Sequence, residues 1–325
     1  MRKDILPIRR IALLLGLSLS VAMTPVGAQF ARSKSPIQLV VLFPGGSSAD
    51  ISARVLAEGM AKSLRENVIV VNKPGGGGAV GYKYVAGAPS DGRTLVWSSN
   101  SISTSYHHGM MEISYKSFAP IAQATVEVPV VVVRSNSPWK SLAELLDYAR
   151  ANPNTLTLGN SGAGSHTHIS AVALFEAGKA TAVHVPFGAA QVVPSLVGGH
   201  IDCVIQLPAA VAPFVADGTL RVLAALGARR TAVFPSTPTA QEQGLSMRPL
   251  DLWRGVSVPL GTPQAMVVRL EKAVESSIKT PEFVSAGKQF GFEPSFMNRQ
   301  DFGLMIAADD AELAVQMRVL GMAVR

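Results

Sequence analysis

Short runs rich in β-branched residues alternate with longer amphipathic stretches along most of this chain. Ile37–Leu42, Val68–Val71 and Thr94–Ser98 have the length and composition of strands, and Ser48–Leu64 has those of a helix. Strands are predicted again at Thr155–Leu158, Ala182–Val185, Ile201–Ile205 and Leu220–Leu226. Helices interleave with them at Ser141–Ala151, His168–Ala177, Val192–Val197 and Ala209–Ala216. Alternation of this kind predicts an α/β protein with largely parallel sheets.

Two stretches argue against one continuous sheet. Phe118–Val133 is long for a single strand and carries Pro120 and Pro129, so it is read as leaving one domain and entering another. Leu252–Val258 is a strand whose exit, Gly261-Thr262-Pro263, opens a helix with Met266, Val267, Leu270, Val274 and Ile278 on one face. A last helix is expected from about Gln300 to Leu320, burying Phe302, Met305, Ile306, Leu313 and Met317. The simplest scheme has two α/β domains joined by crossings near residues 124 and 251. Residues 29–123 with 252–325 form the first and residues 124–251 the second.

The N-terminus changes the reading of charge and location. Arg2, Lys3, Arg9 and Arg10 precede an apolar run from Ile11 to Met23 and the small-residue ending Val26-Gly27-Ala28. This is the pattern of an export signal over residues 1–28, cleaved after Ala28. The apolar run is shorter than the roughly 20 residues a membrane span needs. No Cys stands directly after the cleavage point, so neither a transmembrane nor a lipid anchor is expected on the exported product. The 325-residue chain carries a formal net charge of +7, and loss of residues 1–28 lowers it to +4. That mild excess, with no basic run or aromatic–basic interleaving, argues against nucleic acid and suits a small anion. A single cysteine, Cys203, excludes an intrachain disulfide and a cysteine-cluster metal site, and its apolar neighbours mark it as a core thiol.

Two loops carry candidate chemistry. Phe43-Pro44-Gly45-Gly46-Ser47-Ser48-Ala49-Asp50 follows a strand and opens a helix, where free amides attract anions and a serine can cap. Taken alone it reads equally well as a capped tight turn, and Asp50 is assigned a structural role because it would repel a bound carboxylate. Asn160-Ser161-Gly162-Ala163-Gly164-Ser165-His166 repeats the design in the second half. One such loop per domain, facing each other across a cleft, would clasp a carboxylate without a compensating Lys or Arg. Ser98-Ser99-Asn100-Ser101 is a third polar loop, either a binding rim or a solvated turn.

Other arrangements are weaker. Gly76, Gly78 and Gly81 match G-x-G-x-x-G, but Pro74 precedes them, they follow the second strand rather than the first, and no acid lies at residues 97–102. They are read as a flexible turn. Gly159-Asn160-Ser161-Gly162-Ala163 misses the nucleophile-elbow spacing, and His166 and His168 lie two apart, so on a helix they diverge. No catalytic residue, metal site or cofactor is therefore expected.

The run Ile37 to Asp50 resembles the opening of the Bug, or TctC-type, extracytoplasmic solute-binding receptors. So do Val70–Gly76, Ser90–Leu95, Phe118–Ile121, Val183–Phe187, Leu196–Asp202, Asp217–Arg221 and Val258–Pro263, in order along nearly the whole mature chain. The resemblance implies a two-domain periplasmic-binding-protein fold of type II, with two hinge crossings and a ligand cleft between the domains. It implies a small organic carboxylate, held partly through ordered water, and membrane permease subunits of a tripartite tricarboxylate transporter as partners. Phe43, Gly46, Ser47 and Ser48 match the first binding loop, and Ser161, Gly162, Gly164 and Ser165 the second. Ala163 and His166 belong to that second loop, and Ser99, Phe187 and Gln206 complete the candidate contacts. His168 corresponds to a recurrent family histidine and is read as structural.

The chain departs from the family where the ligand's far end would be read. Gly45 and Ser47 replace a proline and a glycine, Gly188–Gln191 is shortened, and Gln206 stands where an aspartate is common. With no carboxylate evident to pair an amine, a simple mono- or dicarboxylate is favoured over an amino acid. A monomeric receptor that is not an enzyme is the expectation. The alternatives are a sensor feeding a signalling kinase and, in a different class, an exported α/β hydrolase.

Overall fold

The computed structural model describes residues 35–188 and 190–324. The export segment read at residues 1–28 lies outside the described residues. The chain first runs through β1 (Ile37–Val41), α1 (Ser48–Leu64), β2 (Val68–Asn72), α2 (Ala79–Ala86), β3 (Thr94–Ser99), α3 (Ser101–His107) and β4 (Phe118–Glu127). It continues through β5 (Val130–Arg134), α4 (Leu142–Ala151), β6 (Thr157–Asn160), α5 (His166–Ala177), β7 (Val183–Pro186), α6 (Val192–Val197), β8 (Cys203–Gln206), α7 (Pro208–Ala216) and β9 (Leu220–Ala225). It returns through β10 (Leu252–Pro259), α8 (Gln264–Ile278), α9 (Pro281–Phe290), β11 (Phe292–Asn298) and α10 (Arg299–Val319).

These strands form two sheets, in the orders β11-β4-β10-β3-β1-β2 and β7-β6-β8-β5-β9. The long run after Phe118 divides between them, β4 in the first and β5 in the second, with Val128 and Pro129 as the passage. The chain comes back over residues 226–251 before β10 enters the middle of the first sheet. The sheets are mixed rather than largely parallel. β1 runs parallel to β2 and β3, and β6 to β7 and β8, as right-handed β-α-β units require. β10 is antiparallel to β3 and β4, and β5 to β8 and β9, because each arrives from the other sheet rather than over a crossover helix.

Periodicity places the core. Ala49, Ala53, Leu56, Met60 and Leu64 recur every three or four residues on α1 and are buried against the first sheet. Strand β5 alternates, with Val131 and Val133 in one apolar layer and Val130 and Val132 in the other. Helix α8 buries Val267, Leu270, Val274 and Ile278, while α10 buries Phe302, Ile306, Leu313 and Met317; Met266 and Met305 are half-buried at the edges of those faces. Cys203 is a core residue whose thiol burial pushes far up, as an inert side chain requires. Met317 and Met322 of the C-terminal region pack on Ile169 of α5, a further link between the two halves, while the Val324 amide ties the C-terminal turn to α3 by donating to the His107 carbonyl at 2.9 Å.

Candidate functional site

Both glycine-serine loops end in a serine-capped helix. Ser47 accepts from the Asp50 amide at 3.3 Å and Ser165 from the His168 amide at 3.3 Å. The Ile51 and Ile169 amides begin the regular helical ladders, bonding to the carbonyls of Ser47 and Ser165. Of the four amides a helix start leaves unpaired, these bonds leave Ser48 and Ala49 on α1, and His166 and Thr167 on α5. All four of those residues line one cavity of about 30 Å³ between the two sheets. The helix dipoles therefore converge there from opposite sides.

The rest of each loop is fastened to itself. Asp50 accepts from the Gly46 amide, from Arg54 through two nitrogens and from Asn72, all at 2.9–3.0 Å. Burial works to raise its pKa, but these donors hold the carboxyl below its ordinary value. Asp50 thus braces the loop, in keeping with the structural role assigned to it. In the second loop the Ser161 amide donates to Thr167 Oγ1 at 2.9 Å, the Gly162 amide to Asn160 Oδ1 at 3.1 Å and the Gly164 amide to His168 Nδ1 at 3.2 Å. Gln206 Nε2 donates to Ser161 Oγ at 2.7 Å while its Oε1 accepts from the Leu207 amide, so Gln206 orients the serine.

A charged pair stands behind this cavity. Arg254, from β10, lines it with a side chain only 3% exposed, and its Nε donates to Glu127 on β4. The other Glu127 oxygen receives the Ser48 hydroxyl, so both carboxylate oxygens are engaged. His166 Nε2 meets the Leu250 carbonyl at 2.9 Å. Burial, followed by the charges of Arg254 and Arg248, drives the His166 pKa down to about 4, so the ring is neutral at pH 7. Among the described residues lining this cavity, no serine hydroxyl is hydrogen-bonded to a histidine ring, so no nucleophile–base relay is formed there.

Beyond Phe43 and Ser161, which line both spaces, the cleft continues into an outer cavity of about 400 Å³. Gly75–Gly78, Met110, Gly162, Ala163 and Phe187 form its walls.

A family model, the tripartite tricarboxylate transporter family receptor (TctC), matches residues 52–318. The chain belongs to this TctC family. A relative from Pseudomonas sp. (strain P51), the UPF0065 protein in the tcbD-tcbE intergenic region, is 31% identical over 296 residues, 89% of this chain and 88% of its own. The solved periplasmic binding protein BugD superposes with a TM-score of 0.84 at 27% identity, over 89% of this chain and 98% of that one. The R. palustris protein Rpa4515, solved with adipate, superposes with a TM-score of 0.84 at 25% identity, again over 89% and 98%. The chain is a solute-binding receptor of the TctC type, in a family of periplasmic binding proteins, with their two-domain α/β fold.

Within this TctC receptor the residues singled out by sequence fall into three groups. Phe43, Ser47, Ser48 and Ser99 meet Ser161, Ser165, His166 and Gln206 around the inner cavity. Gly162, Ala163 and Phe187 line the outer one. Gly46 and Gly164 line neither, since their amides are turned to Asp50 and His168. The polar run at Ser99 is not a solvated turn: Ser99 and Ser101 line the inner cavity yet are buried, their hydroxyls are 2.9 Å apart, and both bond to the Tyr82 hydroxyl. The glycine stretch read as a flexible turn is a short 3-10 turn, Gly76–Gly78, leading into α2.

Arg254 and Glu127 were not among the sequence candidates, and the clasp was expected to lack a cation. A signal for both exists, since each is the one charged residue of its strand.

Proposed function

We propose that this receptor captures a small organic carboxylate between its two sheets and releases it, chemically unchanged, to the membrane subunits of a tripartite tricarboxylate transporter. The observation that carries this reading is the convergence of the α1 and α5 starts on one cavity, each offering two amides from a different half of the molecule. An anion gains from both only when the halves are together, so binding shifts an open–closed equilibrium that a permease can recognise. The two halves are taken as moving bodies, one built on each sheet, hinged at Val128–Pro129 and along residues 226–251. Adipate in Rpa4515 supports a carboxylate as the ligand class.

The test is native mass spectrometry of the purified receptor, followed by a thermal-shift panel of mono-, di- and tricarboxylates. At least one acid is expected to raise the melting temperature in a concentration-dependent way. A panel without a single response would overturn the carboxylate reading. Turnover of a model ester, lost in Ser161→Ala, would replace it with hydrolysis.

A further inference from the structure

We propose that Arg254, positioned by Glu127, makes this receptor selective for a monocarboxylate with a hydroxyl beside the carboxylate, Arg254 binding the carboxylate and His166 Nδ1 accepting from the hydroxyl. The inference rests on the carboxylate reading of the inner cavity and concerns which carboxylate it admits.

Two buried atoms on the cavity-lining side chains lack partners, and they are complementary. Arg254 Nη1 is a donor without an acceptor. His166 Nδ1 is also unpartnered. Because Nε2 faces the Leu250 carbonyl, that nitrogen carries the proton and Nδ1 keeps its lone pair. With the pKa driven down to about 4, chiefly by burial, the ring stays an acceptor at neutral pH. Buried unmade hydrogen bonds of this kind are strongly unfavourable unless something fills them. A 2-hydroxy acid offers an acceptor and a donor on adjacent carbons.

Charge selects among such molecules. Glu127 lines neither cavity and has both oxygens engaged, so the Arg254–Glu127 pair is neutral and leaves no carboxylate for an ammonium group. Two helix starts contribute about half a positive charge each, which together match one carboxylate. A 2-amino acid would bring a second positive charge beside Arg254. A second carboxylate would reach the outer cavity, where the lining from Phe43 to Gly188 carries no charged side chain to reward it.

Isothermal titration of the purified receptor with 2-hydroxybutanoate, butanoate, 2-aminobutanoate and malate tests this. 2-Hydroxybutanoate is expected to bind at least tenfold more tightly than butanoate and 2-aminobutanoate, and malate no more tightly than 2-hydroxybutanoate. The paired change Arg254→Met with Glu127→Gln, which leaves no lone buried charge, should weaken 2-hydroxybutanoate at least tenfold. His166→Gln, able to keep the bond to Leu250, should bring butanoate and 2-hydroxybutanoate level. The wild-type rank order decides the matter even where a variant does not fold. Equal or tighter binding of butanoate or 2-aminobutanoate, tighter binding of malate, or folded variants with the wild-type pattern would overturn the proposal while the carboxylate reading stands. So would failure of all four when another acid of the wider panel binds. Failure of every acid overturns both.

Discussion

Gly77 lies against the Ala163 carbonyl: a Cβ placed on Gly77 would stand 2.9 Å from that oxygen and equally close to Ser105 Oγ. The turn after β2 and the second binding loop thus meet with only a backbone's width between them, and Gly77 adopts φ +62° to allow it. Gly77→Ala should therefore oppose closure. Ligand affinity is expected to fall at least tenfold by titration calorimetry while the unliganded protein stays folded. Gly218→Ala is the control, because that glycine has φ +80° but nothing within 4 Å of the added carbon. It should carry the same backbone strain, about 1 kcal/mol, without the affinity loss. Similar affinities for the two variants would mean that this contact does not govern closure.

Asp50 and its three donors predict a stability difference within one ion pair. Asp50→Asn turns one of the two carboxylate oxygens into a donor, so either the Gly46 amide or Asn72 loses its acceptor, with an expected loss of about 2 kcal/mol in urea unfolding. Arg54→Met should cost less than about 1 kcal/mol, since the Arg54 side chain is 54% exposed and its ion pair is largely solvated. Equal losses would show that the pair itself, rather than the loop brace, is what Asp50 supplies.

The two helix starts were legible because their signals are local: a strand, glycines, a capping serine and an apolar stripe within some twenty residues. Helices α8 and α10 were legible for the same reason. Helix α3 was not, because Ser101, Ser103, Thr104 and Ser105 are buried and show no apolar period. Their placement depends on distant partners such as the Tyr82 hydroxyl and the Gly77 carbonyl. Strand β11 carries Pro294 and a register break, as a sheet-edge strand can, so its sequence looks unlike a strand. Glu127 and Arg254 are 127 residues apart, and nothing short of the β4–β10 pairing joins them. Long-range register is what the sequence conceals here, and it supplies the only charged side chain among the described residues that line the inner cavity.

That same strand pairing makes Gly255 a sensitive point of the fold. A Cβ there would come within 2.3 Å of the Phe302 ring and 2.6 Å of the Ala122 carbonyl. Phe302 is fully buried and stacks edge-on against Trp253 at 5.3 Å between centroids, so it has little room to move. Gly255→Ala should lose at least about 1–3 kcal/mol through overpacking, read as a lower urea midpoint with an unchanged slope. Gly255→Ala combined with Phe302→Leu should recover part of that loss. A neutral single variant would place the close contact elsewhere.

Stability should also decline as the medium is acidified from pH 6.5 towards 4. His166 and His168 have their pKa values driven from 6.5 to about 4, in both cases chiefly by burial. For His168 the neighbouring His184 and His108 rings, 5.5 and 6.4 Å away, push in the same direction. In this window the unfolded chain binds protons that the folded one refuses, so the stability present above pH 6.5 is lost as pH falls through the folded value. For fully buried His166 the loss approaches roughly 3 kcal/mol below pH 4. Asp251 and Asp309, raised by burial, act oppositely at low pH, so the comparison must be between variants rather than within one profile. Urea midpoints measured from pH 7.5 to 4.5 are expected to slope less steeply in His166→Gln and His168→Gln than in the wild type. Parallel profiles would mean that these rings take up protons in the folded state as easily as in the unfolded one, and so are not held neutral by the packing around them.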